Sequence, residues 1–147
     1  MTESAARMLE ALRGYVVAYQ ESVHDLARWM GLPPSDGAAF GEVLWAEATG
    51  RPMSPARLSE RVGLTSGATN ALVNRLERDG MVARSRESSD RRLVTLRATP
   101  GARRRAEEFT TQAALALQAL LAQQDDAHLD AVRATLDRFA AVLPRHR

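Results

Sequence analysis

Between Ser54 and Gly80 the chain ends one short helix and begins another within two residues, and few folds accommodate that. Ser54-Pro55 supplies an N-cap followed by proline at the first helical position. The segment 55–62 sets Leu58 and Val62 on one side and stops at Gly63. Thr65 then caps a second segment over about 66–79, which Asp79-Gly80 closes. Two short helices joined by a tight glycine-containing turn form a helix-turn-helix pattern.

The flanking segments are also helical, apart from one hairpin. Leu9, Leu12, Val16, Tyr19, Val23, Leu26 and Met30 recur at steps of three and four, a heptad stripe on one helix over roughly 4–30. Gly31 and Pro33-Pro34 end it. The stripe is long for the core of a small monomer, so part of it is expected to face another chain. A second helix is expected from Ser35 or Asp36, carrying Phe40, Val43, Leu44 and Ala48. From Val82 to Arg86 and from Leu93 to Arg97 the pattern turns strand-like, and the six residues between are all polar, as a hairpin tip requires. Thr99-Pro100 opens a helix to about Gln123, with Ala106, Phe109, Ala113, Ala116, Leu117 and Leu120 expected inward. Asp125-Asp126 open the last one, striped by Leu129, Val132, Leu136, Phe139 and Leu143. The expected fold is mainly α, α+β by content.

Charge sharpens this order. All 20 basic residues are Arg, and Lys and Cys are both absent. Schiff-base and phosphate-loop lysines, thiolate nucleophiles, disulfides and Cys-ligated metals are thereby excluded. Residues 51–105 hold 13 Arg against 5 acids, a net +8, while the segments before and after carry −4 and −2. A basic middle between acidic ends is the footprint of a polyanion partner; the alternative is a solvated surface whose Arg are matched locally. No 18-residue apolar run or leader-like N-terminus occurs, so the chain reads as soluble and cytoplasmic, with no membrane partner.

On the second short helix, Ala68, Leu72, Val73 and Leu76 share a side expected to pack inward. Ser66, Gly67, Asn70, Asn74 and Arg78 lie opposite, with Thr69, Ala71 and Arg75 at the borders. Small residues let a helix approach a major groove closely, and Asn can pair bidentately with adenine. The hairpin adds Arg84, Arg86, Arg91, Arg92 and Arg97, suited to a minor groove. Asp90 either orients Arg92 or closes an Asx-turn at the tip.

The run Leu58-Ser59-Glu60-Arg61-Val62-Gly63-Leu64-Thr65-Ser66-Gly67-Ala68-Thr69, then Leu72 to Arg84, Asp90-Arg91-Arg92 and Thr99-Pro100-Gly101, resembles the MarR family of winged helix-turn-helix transcription regulators. The resemblance covers about a third of the chain closely. It implies a winged helix-turn-helix DNA-binding domain over 35–98 and a helical dimerisation region from 1–34 and 99–147. It also implies a homodimer on double-stranded DNA, a repressor at a pseudo-palindromic operator, with wing-tip contacts through Asp90 and Arg92. Where the family often has Arg before that Asp, Ser89 stands here, which either passes the tip contact to Arg91 or Arg92 or weakens it.

The DNA contacts expected are Ser54, Ser66, Gly67, Thr69, Asn70, Asn74, Arg75, Arg84, Arg86, Asp90, Arg91 and Arg92. The resemblance further implies release by a small aromatic or lipophilic effector, for which Tyr15, Tyr19, Trp29 and Trp45 are candidates; the alternative for all four is core packing. An enzyme is not expected, because no hydrolase, metal-protease or dinucleotide motif occurs, and neither a cofactor nor a metal is. Asp125, Asp126, His128 and Asp130 read as helix-start residues rather than metal ligands. The competing function is a winged-helix module that docks a protein instead of DNA.

Overall fold

The computed structural model describes residues 1–51, 53–86 and 94–144. Six helices and two strands follow in the order α1 (Glu3–Met30), α2 (Pro34–Ala48), α3 (Pro55–Val62), α4 (Ser66–Arg78), β1 (Val82–Ser85), β2 (Thr95–Ala98), α5 (Pro100–Leu121) and α6 (Asp126–Val142). The expected mainly helical architecture is present. No helix among the described residues is long and apolar enough to cross a membrane.

Local capping chemistry sets most boundaries. The side chains of Thr2, Ser54, Thr65 and Asp125 each accept a backbone N–H from the first turn of the helix they precede. Thr99 Oγ1 does the same for Ala102 at 3.2 Å and also donates to the Gly80 carbonyl at 2.6 Å. Helix α2 departs from this rule. It begins at Pro34, earlier than expected, and Pro33 offers no side-chain cap. Asp36 therefore lies inside the first turn, where its carboxylate is engaged by another helix, as described below.

The chain divides into two units, Met1–Phe109 and Thr110–Arg147. In the first, one core gathers Leu26 and Met30 from the end of α1, Phe40 and Val43 from α2, and Leu58 from α3. Leu72, Val73 and Leu76 come from α4, Val82 and Leu96 from the strands, and Ala102 and Ala106 from α5. β1 and β2 pair antiparallel with Val82 opposite Ala98 and Ser85 opposite Thr95. Met53 bridges the other edge of β2, its carbonyl accepting the Leu96 N–H at 2.7 Å. Glu47 braces the sheet to α2 by accepting from the Ala98 N–H at 3.0 Å and from Arg103 Nη2 at 2.9 Å.

The second unit has no buried side chain among its described residues. Ala113, Ala116, Leu117 and Leu120, expected inward, are all exposed, as are Val132 and Leu136 on α6 and Leu143 just after it, while Leu129 and Phe139 are half-buried. The periodicity is real, but the described residues supply nothing that covers it.

Helices α1 and α2 cross where Gly37 meets Ala27. A Cβ at Gly37 would come within 2.8 Å of Ala27 Cα and closer still to its Cβ. Helix propensity alone favours Ala over Gly by about 1 kcal/mol, whereas overpacking a core costs about 1–3 kcal/mol. Gly37→Ala is therefore expected to lower the thermal midpoint. Gly41→Ala, on the same helix with open space around it, is expected to raise it. Parallel calorimetry of the two variants checks the sign.

Candidate nucleic-acid interface

The turn between α3 and α4 is stapled by Ser59. Its backbone carbonyl accepts the Leu64 N–H at 3.2 Å, and its hydroxyl donates to the Leu64 carbonyl at 2.5 Å. Gly63 sits in the left-handed region at φ 68°, which glycine adopts without a Cβ penalty. Thr65 then starts α4, its Oγ1 accepting from the Ala68 N–H at 3.3 Å.

Helix α4 packs through Thr69, Leu72, Val73 and Leu76 and leaves Ser66, Gly67, Ala68, Asn70, Ala71, Asn74 and Arg78 exposed. Relative to the sequence reading, Ala68 and Thr69 exchange places. Thr69 is 1% exposed, and its hydroxyl donates to the Thr65 carbonyl at 2.9 Å. A threonine satisfied within its own helix can be buried at little polar cost. Its side chain is thus removed from the expected DNA contacts.

Arg75 is also turned inward. Its Nε donates to Asp36 Oδ2 at 3.0 Å and its Nη2 to Asp36 Oδ1 at 2.7 Å, the two-pronged geometry of the strong Arg–carboxylate pairs. Asp36 is 1% exposed and accepts a further hydrogen bond from Ser35 Oγ at 3.1 Å. The hydrogen bond to Asp36, and then its charge, hold the Arg75 guanidinium above its ordinary pKa. Arginine is protonated throughout the working pH range, so this stabilisation persists there and would fade only in strong alkali. The pair fixes α4 to the start of α2.

Arg84 reaches from β1 to α4, where it contacts Glu77 and Asn74. Arg86 is exposed just beyond β1. Ser54 is half-buried as the cap of α3, accepting from the Arg57 N–H at 3.2 Å. Asp90, Arg91 and Arg92 lie outside the described residues.

The segmental charge sum overstates the basic face. Three acids of the negative N-terminal segment fold onto the Arg-rich middle: Asp36 onto Arg75, Glu42 onto Arg61 and Glu47 onto Arg103. Arg51, Arg86 and Arg104 keep no carboxylate partner among the described residues. Sequence reasoning missed Asp36, Glu42 and Glu77 as partners, since nothing local in the sequence marks a pair 39 residues apart.

The four aromatic candidates separate. None is buried, so the core alternative does not describe them. Tyr19 lines an open groove of about 500 Å³ with Val23 and His24 of α1, Gly41 and Glu42 of α2, and Arg61 of α3. Arg61 Nε donates to Glu42 Oε2 at 2.8 Å, and that hydrogen bond is the main reason its pKa is raised. Trp29 is instead tied to α5: its Nε1 donates to the Arg105 carbonyl at 2.8 Å, Arg105 Nη2 returns a bond to the Trp29 carbonyl at 2.7 Å, and its ring lies 6.0 Å from Phe109. Tyr15 and Trp45 do not line the groove.

Residues 43–93 match the model of the MarR family. Over 45 residues the chain is 44% identical to the uncharacterized HTH-type transcriptional regulator YcgE of Bacillus subtilis (strain 168), a match spanning 31% of this chain and 29% of that protein. The transcriptional regulator BldR from Sulfolobus solfataricus is similar in structure at 26% identity and a TM-score of 0.56, over 94% of this chain and 99% of that one. MepR of S. aureus, solved as a complex with DNA, shares the fold at 16% identity and a TM-score of 0.53, over 90% of this chain and 96% of that one. The helix-turn-helix and the first wing strand thus fall within the stretch that matches the MarR family, and the fold as a whole is similar to that of solved transcriptional regulators.

Proposed function

We propose that the chain is a homodimeric repressor that places α4 in the major groove of a pseudo-palindromic operator. One observation carries this reading: the exposed face of α4 is built from Ser66, Gly67, Asn70 and Asn74 on a helix pinned from behind by Arg75 and Asp36. Gly67 is the telling member. Its φ is not positive, and a Cβ there would meet nothing within 4 Å. Alanine would favour the helix, so the missing side chain serves approach by something outside the protein. Asn70 suits adenine, and Ser66, Arg86 and the wing residues Asp90, Arg91 and Arg92 complete the contacts. MepR, which shares the fold, was solved with DNA.

Residues 35–98 form the DNA-binding domain and 1–34 with 99–147 the dimerisation region. The division is not sharp in packing, because Leu26 and Met30 of α1 share one core with Phe40 and Val43 of α2. The uncovered Leu115, Leu117, Leu120 and Leu121 of α5 support a partner of like surface. The groove beside Tyr19, with Arg61 and Glu42 on its wall, takes a small aromatic or lipophilic effector whose binding releases the operator.

Binding to duplex DNA measured across salt concentrations tests the reading. The observed constant is expected to fall with a log–log slope of about −0.9 per neutralised phosphate. Gly67→Leu is expected to abolish binding without lowering the thermal midpoint. A flat salt response, or full affinity in Gly67→Leu, removes α4 from the groove.

A further inference from the structure

Asn74 and Arg84 meet across the junction of α4 and β1, and donor–acceptor chemistry fixes how the amide is turned. A guanidinium carries only N–H donors. The Asn74 atom 3.0 Å from Arg84 Nη2 is accordingly Oδ1. Arg84 is held from its other side by Glu77: Nη1 donates to Glu77 Oε2, and the Arg84 backbone N–H donates to Oε1 at 3.2 Å. Both side chains of this ion pair are 31% exposed, and a backbone bond joins it, so it is more constrained than a loose surface pair. With Oδ1 turned toward β1, Asn74 offers outward its NH₂ group, which only donates. Asn70, one turn earlier on the same exposed face, has no comparable brace among the described residues and keeps donor and acceptor together.

We propose that Arg84 and Glu77 are positioning residues that make Asn74 a donor-only reader of the duplex. It then selects a base whose major-groove edge bears acceptors, guanine through N7 and O6 or thymine through O4. Adenine is disfavoured at that step. Reading it bidentately needs the amide oxygen for the N6 amino group and the NH₂ for N7, and Asn74 has only the second to give. The two asparagines of α4 therefore read different letters although they are the same residue. This rests on α4 lying in the major groove, as proposed above.

The test is selection from a pool of randomised duplexes by the full-length protein, comparing wild type with Arg84→Met, Arg84→Lys and Asn74→Asp. Wild type is expected to enrich guanine or thymine at one position of each half-site. Arg84→Met frees the amide, and adenine at that position gains about tenfold over guanine, in line with the discrimination of one bidentate pair. Arg84→Lys restores a donor and with it the wild-type preference. Asn74→Asp keeps an acceptor for Arg84 while presenting only acceptors outward, which moves the preference to cytosine through its N4 amino group; it reads the same position if Arg84→Met does not fold. Unchanged preference in Arg84→Met, with Asn74→Asp altered, overturns the positioning role. Unchanged preference in Asn74→Asp overturns Asn74 as a reader. A wild-type selection that enriches no sequence overturns the placement of α4 itself, and this assignment with it, so the two failures are distinguishable.

Discussion

Replacing Arg75 by methionine is expected to lower the thermal midpoint by roughly 6–12 °C, the larger effect of the two ways to break its pair with Asp36. The asymmetry follows from burial. Asp36 is 1% exposed, whereas the Arg75 side chain is 42% exposed. Without Arg75 the Asp36 carboxylate stays where it is, out of water, with Ser35 Oγ as its remaining hydrogen-bond donor. Without Asp36, Arg75 can swing its guanidinium toward solvent and regain hydration. Asp36→Asn is expected to cost less than half as much. The double variant Asp36→Asn with Arg75→Met is expected to recover much of the loss, because no charge is left buried. Thermal unfolding of the three variants decides it; equal losses in both single variants would mean that Arg75 is as trapped as Asp36.

Leu120→Arg carries the second large effect, on assembly rather than on folding. Leu120 is 60% exposed, so the substitution removes little packing within the chain, and a fall in the thermal midpoint is expected only from the lost subunit contact. At a subunit interface the same Arg is an unpaired charge among apolar side chains. Sedimentation is expected to show monomer. Affinity for a palindromic duplex is expected to fall by about 10²–10⁴-fold, the gain that linking two binding modules ordinarily provides. A variant that still sediments as a dimer places Leu120 outside the interface.

What the sequence made legible was what neighbouring residues decide among themselves. Ser54, Thr65, Thr99 and Asp125 cap helices because a side chain and an amide three residues on need no help from the rest of the fold. Glycine at 63 ends a helix for equally local reasons. The departures come from how helices and strand pack on one another. Asp36 reads only as a possible first residue of α2, yet its carboxylate is drawn to Arg75 on another helix. Thr69 reads as a groove contact, yet the inward stripe of α4 runs through 69, 72, 73 and 76 rather than 68. Arg84 reads as a hairpin contact suited to a minor groove, and its hydrogen bonds go to Glu77 and Asn74. Summing charge by segment failed for the same reason, since α2 carries its acids back across the Arg-rich middle.

Thr99 draws these elements together through one oxygen. The same Oγ1 that receives the Ala102 N–H also donates to the Gly80 carbonyl, and the Thr99 N–H reaches the Met81 carbonyl at 2.9 Å. The first turn of α5 and the turn that closes α4 therefore share a latch. A local opening event at either must break bonds belonging to the other, so in hydrogen exchange the two turns are expected to open as one cooperative unit rather than fraying separately. The end of α4 nearest the wing thus inherits the lifetime of a helix start that lies far along the chain.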